Sequence, residues 1–356
     1  MINKIFDNES PGLVVLNGDL ITGENAFLEN STAYVDMIVG PLLKRGLTWA
    51  STYGNHDSDY NISRANILAR EQRWPNARTT KMVSDANAGI SNYYLPVYSS
   101  QCQGSNCQPS LLLWFFDSRG GKRFQQKDNH GNRIPVPSWV DVSVVNWFKK
   151  TNAQLVAQNG GKTIPSLAFV HIPTYASLAA QLTAGAIGPR KQPGINDDLP
   201  LSQQAQGWCS NGSNGGSCKY GGQDIPFMNA IVTTPGMIAM FSGHDHGDTW
   251  CYKWNGKLPG MTVTGNGVNL CFGQHTGYGG YGNWIRGSRQ VLVMEDDLKN
   301  HQWEADTWIR LESGKVVGRV SLNSTYGNDL YQATPNDKTY CPTCIYSRVD
   351  AKEMED

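Results

Sequence analysis

The stretch Gly243-His244-Asp245-His246 follows an apolar run and carries two imidazoles two residues apart. Side chains at that spacing in an extended segment share a side, so both rings can face one point. Neutral imidazole suits Zn, Fe, Mn and similar divalent ions. Three further segments carry the same kind of donor at the end of an apolar run: Asp19 after Leu13–Leu16, Asn55-His56-Asp57 after Thr48–Tyr53, and His171 after Ser166–Val170. The chain has seven histidines; four fall at such strand ends, whereas His130, His275 and His301 do not. Any one of these residues alone is as well explained as a surface or satisfied core side chain. Together, a carboxylate, an amide oxygen and several imidazoles make the donor set of a cation centre.

The elements that must position them read as an α/β chain. A helix end covers 1–9 and the strand Leu13–Leu16 follows. Ala26, Phe27, Ala33, Val35, Ile38, Val39, Leu42 and Leu43 recur at helical spacing and predict a helix over 26–45. Strands are expected at Thr48–Tyr53, Leu111–Phe116, Ser166–Val170 and Met237–Phe241, with helices at 62–73, Val140–Asn159 and Ile225–Thr233. A Gly-, Gln-, Asn- and Ser-rich excursion fills about 174–224. Beyond 250 short strands are expected: CYKWNGK with an Asn-Gly turn, Met261–Thr264, Gln290–Met294, Trp303–Leu311 and Val316–Val320, the last two joined by a hairpin loop at Glu312–Lys315. Strand after strand ends in Gly, Asp, Asn or His, and in open α/β sheets ligands bind at that edge.

Composition narrows the function. Lys plus Arg and Asp plus Glu are 30 each in 356 residues, so no basic stripe marks a nucleic-acid partner. No apolar run reaches the ~20 residues that span a bilayer. Eight cysteines fall in local pairs, Cys102/Cys107, Cys209/Cys218, Cys251/Cys271 and Cys341/Cys344, and only the last has zinc-knuckle spacing, without a second knuckle. Disulfides are expected, with reduced buried thiols as the alternative. The sequons at Asn8, Asn30, Asn61, Asn211 and Asn323 agree with a secreted glycoprotein, although Met1-Ile2-Asn3-Lys4 opens no signal peptide. No repeat or linker divides the chain, which reads as one domain over 1–356: metal-binding blocks at 13–246, a β-rich part at 250–322 and a tail at 323–356.

The blocks Gly18-Asp19, Gly54-Asn55-His56-Asp57, His171 and Gly243-His244-Asp245-His246, in that order, resemble the calcineurin-like metallophosphoesterases. FVHIPTY at 169–175, GHDHGDTWCYKW at 243–254 and, less specifically, the run Tyr278–Arg289 resemble fungal secreted members related to purple acid phosphatases. The resemblance implies a four-layer α/β/β/α double β-sandwich around two metal ions (Zn, Mn or Fe). It implies that Asp19 bridges the ions, that Asn55, His171 and His244 complete one, and that His246 belongs to the other. His56 would protonate the leaving oxygen or stabilise charge on the phosphoryl group, with Asp57 expected to orient it. The reaction implied is in-line attack of a metal-bound hydroxide on a small phosphoester.

Two departures from the family pattern stand out. Thr22 occupies the place of the tyrosine that colours the purple enzymes, so no tyrosinate-to-iron band is expected. The family opens with a strand ending in Asp-x-His that supplies the first metal, and this chain has no room for it ahead of Asp19. The expectation is therefore a shortened form of a secreted phosphatase, with ligands for one ion in place of the family's two and of impaired activity. A phosphomonoesterase leads. A phosphodiesterase of the same superfamily and a non-catalytic binding protein on a degenerate scaffold are the alternatives. Arg286 and Arg289 are candidates to meet a phosphate, Tyr278, Tyr281 and Trp284 to wall a pocket, and His275 to approach substrate; packing explains each equally well.

Overall fold

A computed structural model describes residues 1–104, 107–215 and 217–339. Its strands are β1 (Val14–Asn17), β2 (Trp49–Thr52), β3 (Tyr93–Tyr98), β4 (Pro109–Phe116), β5 (Lys122–Lys127), β6 (Arg133–Pro135), β7 (Ser166–Val170), β8 (Met237–Ser242), β9 (Cys251–Lys257), β10 (Thr264–Phe272), β11 (Gly287–Leu292), β12 (Ala305–Leu311) and β13 (Val316–Leu322). The helices are α1 (Ile2–Phe6), α2 (Ala33–Leu43), α3 (Arg64–Glu71), α4 (Val142–Gln158), α5 (Tyr175–Leu182), α6 (Ile225–Thr233) and α7 (Glu295–Lys299). Six strands form a mixed sheet in the order β3-β4-β7-β8-β10-β9, with β4, β7, β8 and β10 parallel. β1 and β2 pair in parallel, and β11-β12-β13 form an antiparallel meander.

Alternation along the strands sorts these sheets into layers. From β4, Leu112, Trp114 and Phe116 join Val144, Val145 and Phe148 of α4 and Phe227, Met228 and Ile231 of α6 in one core, where Trp114 meets Phe148 edge-on at 4.7 Å. The intervening Leu111, Leu113 and Phe115 point the other way, into a core shared with Ala50, Ala305, Val320 and Leu322. In β1, Val15 packs on that second core while Val14 and Leu16 pack on a third, with Trp49 and with Val35, Val39 and Leu42 of α2. Helices, the large sheet, the two smaller sheets and helices again make the α/β sandwich expected. Both faces of β7 and β8 are buried, so they read as unbroken apolar runs.

Local chemistry moves several boundaries. α4 starts at Val142 because Asp141 caps it, its carboxylate accepting from Ser143 N at 3.0 Å. α2 starts at Ala33, later than its periodicity suggests, because a 3-10 turn at Gly23–Asn25 is held by Gly23 N–H donating to His56 O. The Asn255-Gly256 pair makes no turn; β9 runs through it to pair Lys257 with Thr264, and the connection lies at 258–263, where Leu258 and Met261 are buried. β10 consequently occupies Thr264–Phe272 and not 261–264. β3 and the hairpin β5–β6 have no counterpart in the sequence reading. Disulfides join Cys102 to Cys107, Cys209 to Cys218 and Cys251 to Cys271. Cys341 and Cys344 lie outside the described residues. No helix among those residues is long and apolar enough to cross a membrane.

Candidate metal centre

The carboxyl ends of β1 and β2 in one sheet and of β7 and β8 in another meet at a single locus, with Asn17 between them. Its Nδ2 donates to Phe241 O at 3.1 Å, its Oδ1 accepts from Thr52 Oγ1 at 3.0 Å, and its backbone carbonyl accepts from His171 Nδ1 at 2.8 Å. The turn after β1 is as tight as sterics allow: a Cβ on Gly18, whose φ is 90°, would lie 2.3 Å from His171 Nδ1. Asp19 and His244 both hold left-handed backbone, with φ of 51° and 73°. Such strain in residues with side chains persists where the surroundings over-determine it, and it clusters at functional sites. A Cβ on Gly54 would sit 2.1 Å from Asp19 Oδ1, so the second loop also closes against this carboxylate.

Asp19, His171 and His244 each offer one ligand atom, and the three atoms all lie within 4.8 Å of one another. His171 Nδ1 donates to the Asn17 carbonyl, which directs Nε2 at Asp19 Oδ2, 2.8 Å away. Burial favours the neutral ring, but the Asp19 carboxylate raises the His171 pKa; burial would likewise raise Asp19, and His171 holds it far below its usual range. One proton shared at Nε2 joins the pair, and a divalent cation suits the same place. Burial and the neighbouring His171 push His244 down to about 3, so its ring is neutral. Asn55 Oδ1 is buried without a hydrogen-bond partner, next to His56, whose backbone N–H donates to Asp19 Oδ1 at 2.9 Å. Carboxylate, imidazole and amide oxygen are a donor set that Zn, Mn or Fe accepts, so these residues fit a cation.

Asp57 does not pair with His56. Its two oxygens accept from Ile21 N at 3.0 Å and Gly54 N at 2.8 Å, fastening the two metal-site loops together, and burial with the Asp19 charge pushes it up to about 7. The group on His56 Nδ1 is the Glu24 carboxylate, 2.5 Å away, supplied by the 3-10 turn after β1. Burial works against a charged ring, yet Glu24 and Asp19 raise His56 to about 9. Glu24 carries no motif and its sequence position alone does not reveal it.

His246 stands apart from the tight trio. Its Nδ1 donates to Tyr281 O at 2.8 Å, and its ring lies between those of Tyr281, centroids 4.0 Å apart, and His275, 3.8 Å apart. A Cβ on Gly280 would meet His246 Cε1 at 2.5 Å, so the 277–284 loop is seated directly on this ring. Tyr281 OH donates to Asp198 and Trp284 Nε1 donates to Asp197, tying the loop to the long excursion. Tyr281 and His275 thus line the site, whereas Tyr278 is exposed and bonded to Glu312. Arg286 is buried and donates to Trp284 O and Gly282 O, and Arg289 donates to Phe272 O, Thr249 O and Thr307 Oγ1; both brace backbone. His275, a candidate to approach substrate, follows the end of β10 by three residues, and its strand-end placement was missed because β10 was.

The chain is similar to several known proteins. Probable inactive purple acid phosphatase 14 of Arabidopsis thaliana is 24% identical over 329 residues, 87% of this chain and 71% of its own length. Probable inactive purple acid phosphatase 28 of the same plant is 26% identical over 335 residues, again 87% of this chain and 71% of the relative. Phosphatase DCR2 of Saccharomyces cerevisiae is 23% identical over 278 residues, 76% of this chain but 41% of the relative. Residues 1–248, which hold every strand end that converges on Asp19, match the calcineurin-like phosphoesterase family, and the chain belongs to it.

Proposed function

We propose that the protein hydrolyses phosphomonoesters at a two-cation centre. Asp19, Asn55, His171 and His244 would hold one ion, and Asp19 and His246 would serve the other. When bound, such a pair of cations acidifies a water for in-line attack and neutralises charge on the phosphoryl oxygens. The chain's own part is to place that water opposite the leaving oxygen and to supply a proton. His56, kept protonated by Glu24, gives its proton to the leaving oxygen as the P–O bond breaks, so the alcohol departs neutral and inorganic phosphate remains. Asp57 keeps the loops of Asp19 and His56 in register. The observation that carries this reading is the Asp19–His171–His244 trio, whose ligand atoms all fall within 4.8 Å of one another. Three disulfides support passage through the secretory pathway as part of the same proposal.

A second reading, a binding protein that has lost turnover on this scaffold, draws on the word inactive in the names of two relatives. Turnover of p-nitrophenyl phosphate and its bis-ester by protein loaded with Zn, Mn or Fe separates the readings. Monoester turnover abolished by His244→Ala is the expected result. Preference for the bis-ester indicates a diesterase, and cation uptake with no turnover of either indicates the binding protein.

A further inference from the structure

Gly54 precedes Asn55, and both of its polar backbone groups are held. Its N–H donates to Asp57 Oδ2 at 2.8 Å, and its carbonyl accepts from Arg64 Nη2 at 2.7 Å. The same Nη2 donates to Gly120 O at 3.0 Å, while Nε stands 3.4 Å from Asp117 Oδ1. Arg64 opens α3 directly behind the Ser63 cap, yet only 6% of its side chain is exposed. A cation in the first turn of a helix opposes the helix dipole, and burial adds a desolvation cost. The fully buried Asp117 offsets both. A planar guanidinium serves two carbonyls and a carboxylate at once, which a lysine does not reproduce.

Both carbonyls bear on Asn55. A Cβ on Gly120 would lie 2.9 Å from Asn55 Cβ, and one on Gly121 would lie 2.2 Å from Asn55 O and Ser58 O. Gly120 and Gly121 have φ of 85° and 77°, so the turn after β4 is shaped to lie against this residue. Just beyond it, Lys122 N donates to Ser58 O at 2.8 Å and Ser58 Oγ donates to Lys122 O at 2.9 Å. Asn55 is thus enclosed between the Asp19 loop and the 119–121 turn. Among the described residues no hydrogen bond holds its side chain, and Oδ1 is buried without a partner. The aim of that oxygen therefore depends on the backbone that carries it.

We propose that Arg64 is a positioning residue of the cation centre. By clamping Gly54 O to Gly120 O it directs the Asn55 amide oxygen at the ion that Asp19, His171 and His244 would hold, touching neither ion nor substrate itself. This rests on the cation centre of the reading above and not on turnover. A chain that binds zinc without hydrolysing an ester would still obey it.

Metal-free full-length protein is titrated with Zn2+ by calorimetry, with circular dichroism and a thermal melt to verify folding. Arg64→Met keeps the apolar stem without the donors and should bind zinc about 10–100-fold more weakly than wild type. Arg64→Lys, which keeps a cation for Asp117, should fall between the two. In an Asn55→Ala background, Arg64→Met should weaken zinc binding by less than about twofold further, because the group it positions is gone. Where Arg64→Met fails to fold, Arg64→Lys carries the same comparison in both backgrounds. Wild-type zinc affinity in folded Arg64→Met would overturn the inference. An equal loss with and without Asn55 would also overturn it, since Arg64 would then brace the fold at large. Either result leaves the hydrolase reading standing. Uptake of no zinc by wild type would overturn both.

Discussion

His56 and Glu24 form a pair whose titration is the most direct readout of the chemistry. The imidazolium is held up to about 9 against the cost of burial, and the Glu24 carboxylate is lowered in turn by His56. A proton donor must be charged to act, so kcat/KM should fall as pH rises through about 9. Glu24→Gln should move that limb down toward the free-imidazole value of about 6.5, and a pH–rate profile of the variant checks it. His56→Ala should lower kcat by ~10²–10⁴ while zinc stoichiometry stays unchanged. The same pair bears on stability: a folded pKa raised above the unfolded one contributes fully below about 6.5 and is lost as pH rises toward about 9. His56 was legible because it sits in a dense motif at a strand end. Glu24 was not, since its role depends on a 3-10 turn that a backbone hydrogen bond from Gly23 to His56 brings against that motif. Asp57 was legible as a site residue but not in its task, because adjacency in sequence does not disclose which way a carboxylate turns.

Among the elements, β2 is held from beneath by a single acid. Glu71 at the end of α3 is fully buried and accepts from Trp49 Nε1 at 2.8 Å, Ser51 Oγ at 2.6 Å and Tyr53 OH at 2.5 Å. Burial raises its pKa while those donors oppose the rise. Glu71→Leu strands three donors at once and should destabilise the fold by about 3 kcal/mol or more, measured by urea denaturation. Because β2 delivers Asn55 and His56, the variant should also bind zinc more weakly than wild type under conditions where it remains folded. Strands with both faces buried were read to within a residue, since an uninterrupted apolar run bounded by Gly or Pro leaves little choice. Polar and edge strands were not. β5 is mostly exposed, and β10 opens Thr-Gly-Asn-Gly, which reads as loop until its pairing with β9 supplies the hydrogen bonds. The Asn255-Gly256 turn signal lost to that same ladder.

For the molecule as a whole, the sandwich was legible as an order of strands and helices, but the way its far end returns to the centre was not. The 277–284 loop lies beyond the segment that matches the family, yet its Tyr281 carbonyl aims His246 and its neighbour His275 stacks on it. Such a return is a property of tertiary contact that no periodicity encodes. Surface chemistry at this scale is testable through glycosylation. Asn8, Asn30 and Asn211 are exposed, whereas Asn61 is partly buried and its Nδ2 donates to Ala26 O at 3.0 Å. Produced in a glycosylating host, the protein should carry glycans at the first three and not at Asn61, which peptide mapping by mass spectrometry decides. The locus of chemistry itself straddles two sheets that share no ladder hydrogen bond, joined there by the side chain and carbonyl of Asn17. On the proposed reading, an ion held there would be a rivet through that seam, and the stiffness of one asparagine would set how far the two plates can part.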